Sequence, residues 1–219
     1  RVRLIASVAP ALIHPAVFAK MAATLDDVAG GRLGINIVSA GNRDEYAQMG
    51  LYPEHFEAYR YDYTEEWLTV VKRLWTEDRV SFRGRWFTLE ECESWPKPLQ
   101  GTVPLVCATS SERGFQFIAA HCTDGFFGGV SLEQKKATSR RIKEIARAHG
   151  RAVRTHTLVM LIQGDSDRDA ERRLAHYQAG ADVEAIANVY RLRARDKTDE
   201  QAASYRERFE SGTRLFYGG

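Results

Sequence analysis

Short apolar runs alternate along the chain with stretches whose apolar residues recur every three or four positions. Leu4 to Ala9 is a first apolar run, closed by Pro10. His14-Pro15 then opens a helix, since proline suits the first helical turn. Val17, Phe18, Met21, Leu25 and Val28 are expected on its buried face, and Gly30-Gly31 ends it. Leu33 to Val38 is apolar almost throughout, as a strand covered on both faces of a parallel sheet requires. A loop is expected from Ser39 to about Arg60. Tyr63, Trp67, Val70, Val71 and Leu74 then trace a second amphipathic helix. Val80 to Leu89 partly alternates around Arg83-Gly84 and predicts a β-hairpin. Beyond Pro96 and Pro98 the pattern predicts a strand at Val103–Ala108, a short helix at Gly114–Ala120 and a strand at Asp124–Gly129. A helix at Leu132–His149, a strand at Thr155–Ile162 and a helix starting at Asp167–Tyr177 follow. From Gly180 to Phe209 charged residues dominate, and a helical or loop insertion is expected near 181–211. Thr213–Tyr217 is expected to begin a further strand.

Strand–helix alternation of this kind predicts an α/β protein with a parallel sheet. Two versions compete, a closed (β/α)8 barrel and an open doubly wound sheet. No low-complexity linker interrupts the chain, so a single domain over residues 1–219 is expected. It begins at Arg1 without an initiator Met and ends on Tyr217-Gly218-Gly219. A barrel would therefore be incomplete in this stretch, with its terminal strands elsewhere.

Composition narrows the class only modestly. The chain has 219 residues, 44% hydrophobic and 27% charged, with a formal net charge of +2. Such a near-neutral balance points neither to nucleic acid nor to an anionic membrane surface. No apolar run approaches the ~20 residues that span a bilayer. Cys92, Cys107 and Cys122 are too widely spaced for a zinc knuckle and suggest reduced thiols in a cytoplasmic protein. No two histidines stand three or four apart on an expected helix, so no metal site is spelled out. His121-Cys122 has the composition of a base and a thiol nucleophile, but adjacent side chains on a regular element point apart.

In either α/β architecture ligands gather at the C-terminal ends of the strands. Four places qualify: Ser7 and the loop after it, Val38 to Tyr46, Thr109 to Gly114, and Gly128 to Ser131. Asn36 is the one polar side chain in an apolar strand, and a buried amide needs partners. It serves either a neighbouring backbone or a polar ligand. Ser39-Ala40-Gly41-Asn42 offers small residues where a flat ring can approach, and Glu45 and Tyr46 follow. A lone glutamate is more often a solvated charge. Thr109-Ser110-Ser111 precedes a helix, where hydroxyls cap free N–H groups or present them to a phosphate. There is no G-x-G-x-x-G after a strand, no P-loop and no G-x-S-x-G elbow.

Further pieces are His14-Pro15, Lys20-Met21-Ala22-Ala23-Thr24, Gly30-Gly31-Arg32, Asn36-Ile37-Val38, Glu45 to Leu51, Arg60-Tyr61, Cys107-Ala108 with Ser110-Ser111, and Gly180-Ala181-Asp182. In order and spacing these resemble the bacterial-luciferase-like flavin-dependent monooxygenases, within them the pyrimidine oxygenase group that includes riboflavin lyase. The resemblance runs from Arg1 to about Ala187. It implies an incomplete (β/α)8 barrel of the luciferase-like type, using reduced FMN and O2 to cleave a nitrogen heterocycle. It implies too that a separate NAD(P)H:flavin reductase supplies the reduced FMN, and a homo-oligomer is expected. By resemblance Asn36, Glu45, Arg60, Tyr61, Ser110 and Ser111 are the expected FMN contacts. Ser7 and Asn36 are the expected catalytic pair on the oxygen-reactive side of the flavin. The chain departs from the group at Ser39-Ala40-Gly41, where its members carry Thr-Gly-Trp, and at Tyr52, where they carry Trp. Loss of an aromatic wall implies a pocket for a substrate bulkier than uracil, such as riboflavin. Other activities on the same barrel are a sulfone or alkanesulfonate monooxygenase, a non-catalytic flavin-binding protein and a deazaflavin-dependent oxidoreductase.

Overall fold

A computed structural model describes residues 2–39, 43–129, 131–159 and 161–194. They fall into two compact units. One takes in the residues up to Phe127 together with Lys135–His156; the other holds Gly128–Gln134 and the residues from Thr157 on.

The first unit is built on β1 (Leu4–Val8), β2 (Leu33–Ile37), β5 (Leu105–Ala108), β6 (Asp124–Phe127) and β7 (Arg154–Thr157). These form one sheet in the order β1-β2-β5-β6-β7, and the first four pair in parallel. Strand order thus follows chain order. A doubly wound sheet reverses direction at a switch point, and none occurs among these strands, so the barrel-type order resolves the ambiguity. The expected hairpin forms as antiparallel β3 (Val80–Arg83) and β4 (Thr88–Cys92), apart from the main sheet. Its turn is fastened by Glu66, whose carboxylate accepts the backbone N–H groups of Arg85, Trp86 and Phe87 at 2.8–2.9 Å.

The helices of this unit are α1 (Pro15–Val28), α2 (Arg43–Gln48), α3 (Phe56–Thr76), α4 (Glu112–His121) and most of α5 (Leu132–Ala148). Helix α1 starts at Pro15 behind the His14 cap and stops where Gly30 and Gly31 adopt φ of 60° and 70°. Its buried face matches the expectation only at Phe18. Phe18, Ala19, Ala22, Ala23 and Asp26 are buried, whereas Val17, Met21, Leu25 and Val28 lie exposed. The alanines win because small side chains let α1 approach α3 closely. There Trp67 and Trp75 donate indole N–H bonds to the carbonyls of Ile13 (2.8 Å) and Ala19 (3.0 Å). Asp26 has a structural job, accepting from Leu33 N and from the backbone and side chain of Gln100.

Two other expectations need correction. The loop expected up to Arg60 contains α2 and the first turn of α3, because Tyr46 and Phe56 are buried and anchor helical turns there. Among the described residues the strand expected at Thr155–Ile162 is Arg154–Thr157, and Leu158, Val159 and Leu161 are exposed rather than buried as the apolar run implied. In the second unit α6 (Asp167–Ala179) and α7 (Val183–Ala194) account for the helix after Asp167 and the start of the insertion. The rest of 181–211, the strand expected at Thr213–Tyr217, and Ala40-Gly41-Asn42 lie outside the described residues. No helix among the described residues is long and apolar enough to cross a membrane.

Candidate active site

Parallel pairing sets which side chains share a face. Ser7 stands opposite Asn36 in register, near the C-terminal ends of β1 and β2. Asn36 Nδ2 donates to Ser7 Oγ at 3.1 Å. The other end of the amide is not satisfied among the described residues: Asn36 Oδ1 is buried and has no hydrogen-bond partner there. Leaving a buried acceptor unpaired costs about 1–3 kcal/mol. A strand rarely keeps such a group unless something else fills the role.

A second cluster forms where α3 meets the β5–α4 turn. The Tyr61 hydroxyl lies 3.0 Å from Thr109 Oγ1 and 3.5 Å from Ser111 Oγ, and those two hydroxyls are 3.3 Å apart. Ser111 caps α4 by accepting from Gly114 N at 3.2 Å, and its own N–H donates to Thr109 Oγ1. The turn closes because residue 114 is glycine. A methyl group there would overlap Thr109 Oγ1 and come within 2.5 Å of the Tyr61 oxygen. Guanidinium groups flank the Tyr61 ring, Arg60 at 4.7 Å and Arg113 at 5.7 Å from its centre. Arg60 bridges to Ser39 Oγ (3.5 Å) and pairs with Glu57 at 3.1 Å. Burial lowers the basicity of Arg113, but its bonds to Asp62 and Glu65 outweigh that and raise it.

Of the residues expected at the site, the structure joins Ser7 to Asn36 and Tyr61 to Ser111, with Arg60 against Tyr61. Ser110 is exposed and outside the hydroxyl network, and Glu45 is exposed on α2. Thr109 and Gly114 hold the network together, though neither stood out from its neighbours in the chain. The His121-Cys122 pair is no nucleophile and base. Cys122 is buried, and a hydrogen bond with Cys107, reinforced by burial, pushes its thiol well above the usual range; His121 instead faces Glu65 at 3.5 Å.

The donor set fits a flavin mononucleotide. The orphaned Asn36 amide and Ser7 match the carbonyls and N–H groups of a ring, and Arg60 with the capping hydroxyls matches a phosphate.

Similarity to known proteins points the same way. The luciferase-like monooxygenase family model matches residues 1–219. The pyrimidine monooxygenase RutA of Cronobacter sakazakii is 37% identical over 191 residues, 85% of this chain and 56% of that protein. That of Agrobacterium fabrum is 37% identical over 190 residues, 85% of this chain and 52% of that protein. The chain therefore spans about half the length of the curated relatives it matches. Among solved structures, DmoA from Hyphomicrobium sulfonivorans superposes with a TM-score of 0.77 at 24% identity, covering 87% of this chain and 46% of that one. Riboflavin lyase RcaE, solved with modified FMN and riboflavin, gives a TM-score of 0.69 at 23% identity, covering 94% and 48%. These two likenesses speak for the fold. The family model's match over residues 1–219 establishes that this chain belongs to the luciferase-like monooxygenase family.

Proposed function

We propose that the chain carries the flavin site of an FMN-dependent monooxygenase that oxidises a nitrogen heterocycle. The observation that supports this best is the unsatisfied, buried Oδ1 of Asn36 beside Ser7, at the strand ends where α/β proteins bind ligands. On this reading Asn36 and Ser7 contact the flavin ring. Arg60, Tyr61, Thr109 and Ser111 hold its phosphate end, with Glu45 and Ser110 at the periphery. When bound, reduced FMN supplies the two electrons by which O2 delivers one oxygen atom to the substrate and one to water. The protein orients the two reactants and keeps water away; Asn36 is locked to Ser7 through its Nδ2. A separate NAD(P)H:flavin reductase delivers the reduced FMN, and one domain across residues 1–219 in a homo-oligomer is part of the proposal.

Identity to pyrimidine monooxygenases favours a heterocyclic substrate over a sulfone or sulfonate. The small residues at Ser39-Ala40-Gly41 favour one bulkier than uracil, riboflavin among them. The test is incubation with reduced FMN, isotopically labelled O2, and a panel of uracil, riboflavin and sulfones. The expected result is one labelled oxygen atom in a heterocycle-derived product. Equal product formation under argon, or label appearing only with the sulfones, contradicts the proposal.

A further inference from the structure

The register that pairs Ser7 with Asn36 continues across the sheet. Asn36 stands opposite Val106, and Val106 opposite Asp124. Register partners in a parallel pair point to the same face. The neighbouring residue confirms the direction: a side chain at Gly125 would meet Ile118 of α4 at 3.0 Å and Ile142 of α5 at 3.8 Å. Gly125 thus turns toward the helices, and Asp124 turns to the face that carries Asn36. Two strand intervals of about 4.8 Å separate them, so Asn36 and Asp124 lie about 10 Å apart with Val106 between.

Asp124 is 5% exposed. Burial alone would push its carboxyl up. Bonds from Arg154 (Nε and Nη2, both 2.8 Å), His156 (2.7 Å) and the Thr123 hydroxyl (2.7 Å) overcome that and hold it well below the usual carboxylate range. An ionised carboxylate only accepts, so His156 donates to it from Nε2; a neutral imidazole in that tautomer has its lone pair on Nδ1. Arg154 spends Nε and Nη2 on the carboxylate. Neither His156 Nδ1 nor Arg154 Nη1 makes a hydrogen bond to a described residue, and the two side chains are 53% and 67% exposed. With a neutral imidazole the cluster offers an acceptor and a donor at neighbouring positions and no net charge, because Asp124 cancels Arg154. The matching ligand is an uncharged edge with a donor beside an acceptor.

We propose that Asp124, Arg154 and His156 form a docking station for a lactam edge, a ring C=O next to a ring N–H. Arg154 donates to the carbonyl, His156 Nδ1 accepts the N–H, and Asp124 is the positioning residue that fixes both. This rests on the flavin-monooxygenase reading. Lactam edges come from two sources there, the heterocyclic substrate and the pyrimidine edge of the flavin itself.

The test is equilibrium titration of uracil and of FMN, each beside its N-methylated counterpart, into the wild-type chain, His156→Ala and Asp124→Asn. The wild type should bind the N–H form about tenfold more tightly than the methylated form, and both variants should erase that preference. A preference in the uracil arm assigns the station to substrate, and one in the FMN arm assigns it to the cofactor. Equal binding of both forms by the wild type in both arms, no binding in either, or a preference that survives in His156→Ala overturns the proposal. The wild-type comparison needs no variant to fold. A lactam preference without O2-dependent turnover would refute the monooxygenase reading alone.

Discussion

The two faces of the parallel sheet obey different rules. The face toward the helices is aliphatic: Val8, Ile37 and Cys107 stand in one register row, Ile37 and Cys107 are fully buried, and Gly125 continues the row against Ile118 and Ile142. The opposite face carries Ser7, Asn36, Val106 and Asp124 in the adjacent row. One residue along a strand moves from one regime to the other. Packing decides the first face, where each side chain fills space. On the second, polar groups are held by one another, and Asn36 Oδ1 has no partner among the described residues.

Breaking the packed side should cost most. Trp67 is fully buried on α3 and ties it to Ile13, so Trp67→Ala should lower stability by about 3–5 kcal/mol in urea denaturation. A loss under about 1 kcal/mol would mean that the α1–α3 contact is not the core it appears on burial grounds.

Gly114→Ala tests the hydroxyl network. In an open helix this change gains about 1 kcal/mol from propensity. Here the added methyl collides with Thr109 and Tyr61, and overpacking costs about 1–3 kcal/mol. A net loss of stability with about tenfold weaker FMN binding is expected, read by thermal melting and by flavin fluorescence titration. A stabilised variant with unchanged affinity would detach the network from the site.

Acid separates the faces more finely. The Asp124 carboxyl is held below its unfolded value of about 3.9. Its contribution is therefore fully present above about pH 4 and is lost as pH falls through the folded value. Asp124→Asn should cost about 1–3 kcal/mol near pH 7 and narrow its gap to wild type in strong acid, followed by denaturant midpoints across pH. A gap that stays constant would show that the carboxylate's charge is not what matters.

What was legible in the chain follows the same division. Leu33–Ile37 and Leu105–Ala108 were readable as strands because burial makes their apolar runs continuous. The hairpin was readable from Arg83-Gly84. Helix α1 was found with Phe18 on its buried face, but Val17, Met21, Leu25 and Val28 were misplaced there, because a hydrophobicity pattern ranks them above the alanines that pack. Helix α2 was missed because it is short and mostly polar, with Tyr46 its sole buried residue. Asn36 and Ser111 stood out as a polar residue in an apolar strand and a hydroxyl before a helix. Asp124 and His156 did not, being 32 residues apart and joined only by the neighbouring of β6 and β7. The alternation Arg154-Thr155-His156 was the available signal, two polar side chains on one face of a strand.

Asn36→Val tests the central claim most directly, since it removes the orphaned amide while keeping a β-branched residue suited to a strand. Thermal stability and FMN affinity should be measured on the same preparation. The account predicts an unchanged or higher melting temperature, because the unpaired Oδ1 is gone, together with FMN binding weakened about tenfold or more. Unchanged FMN affinity with a lowered melting temperature would contradict it, and would make Asn36 a structural residue of the strand.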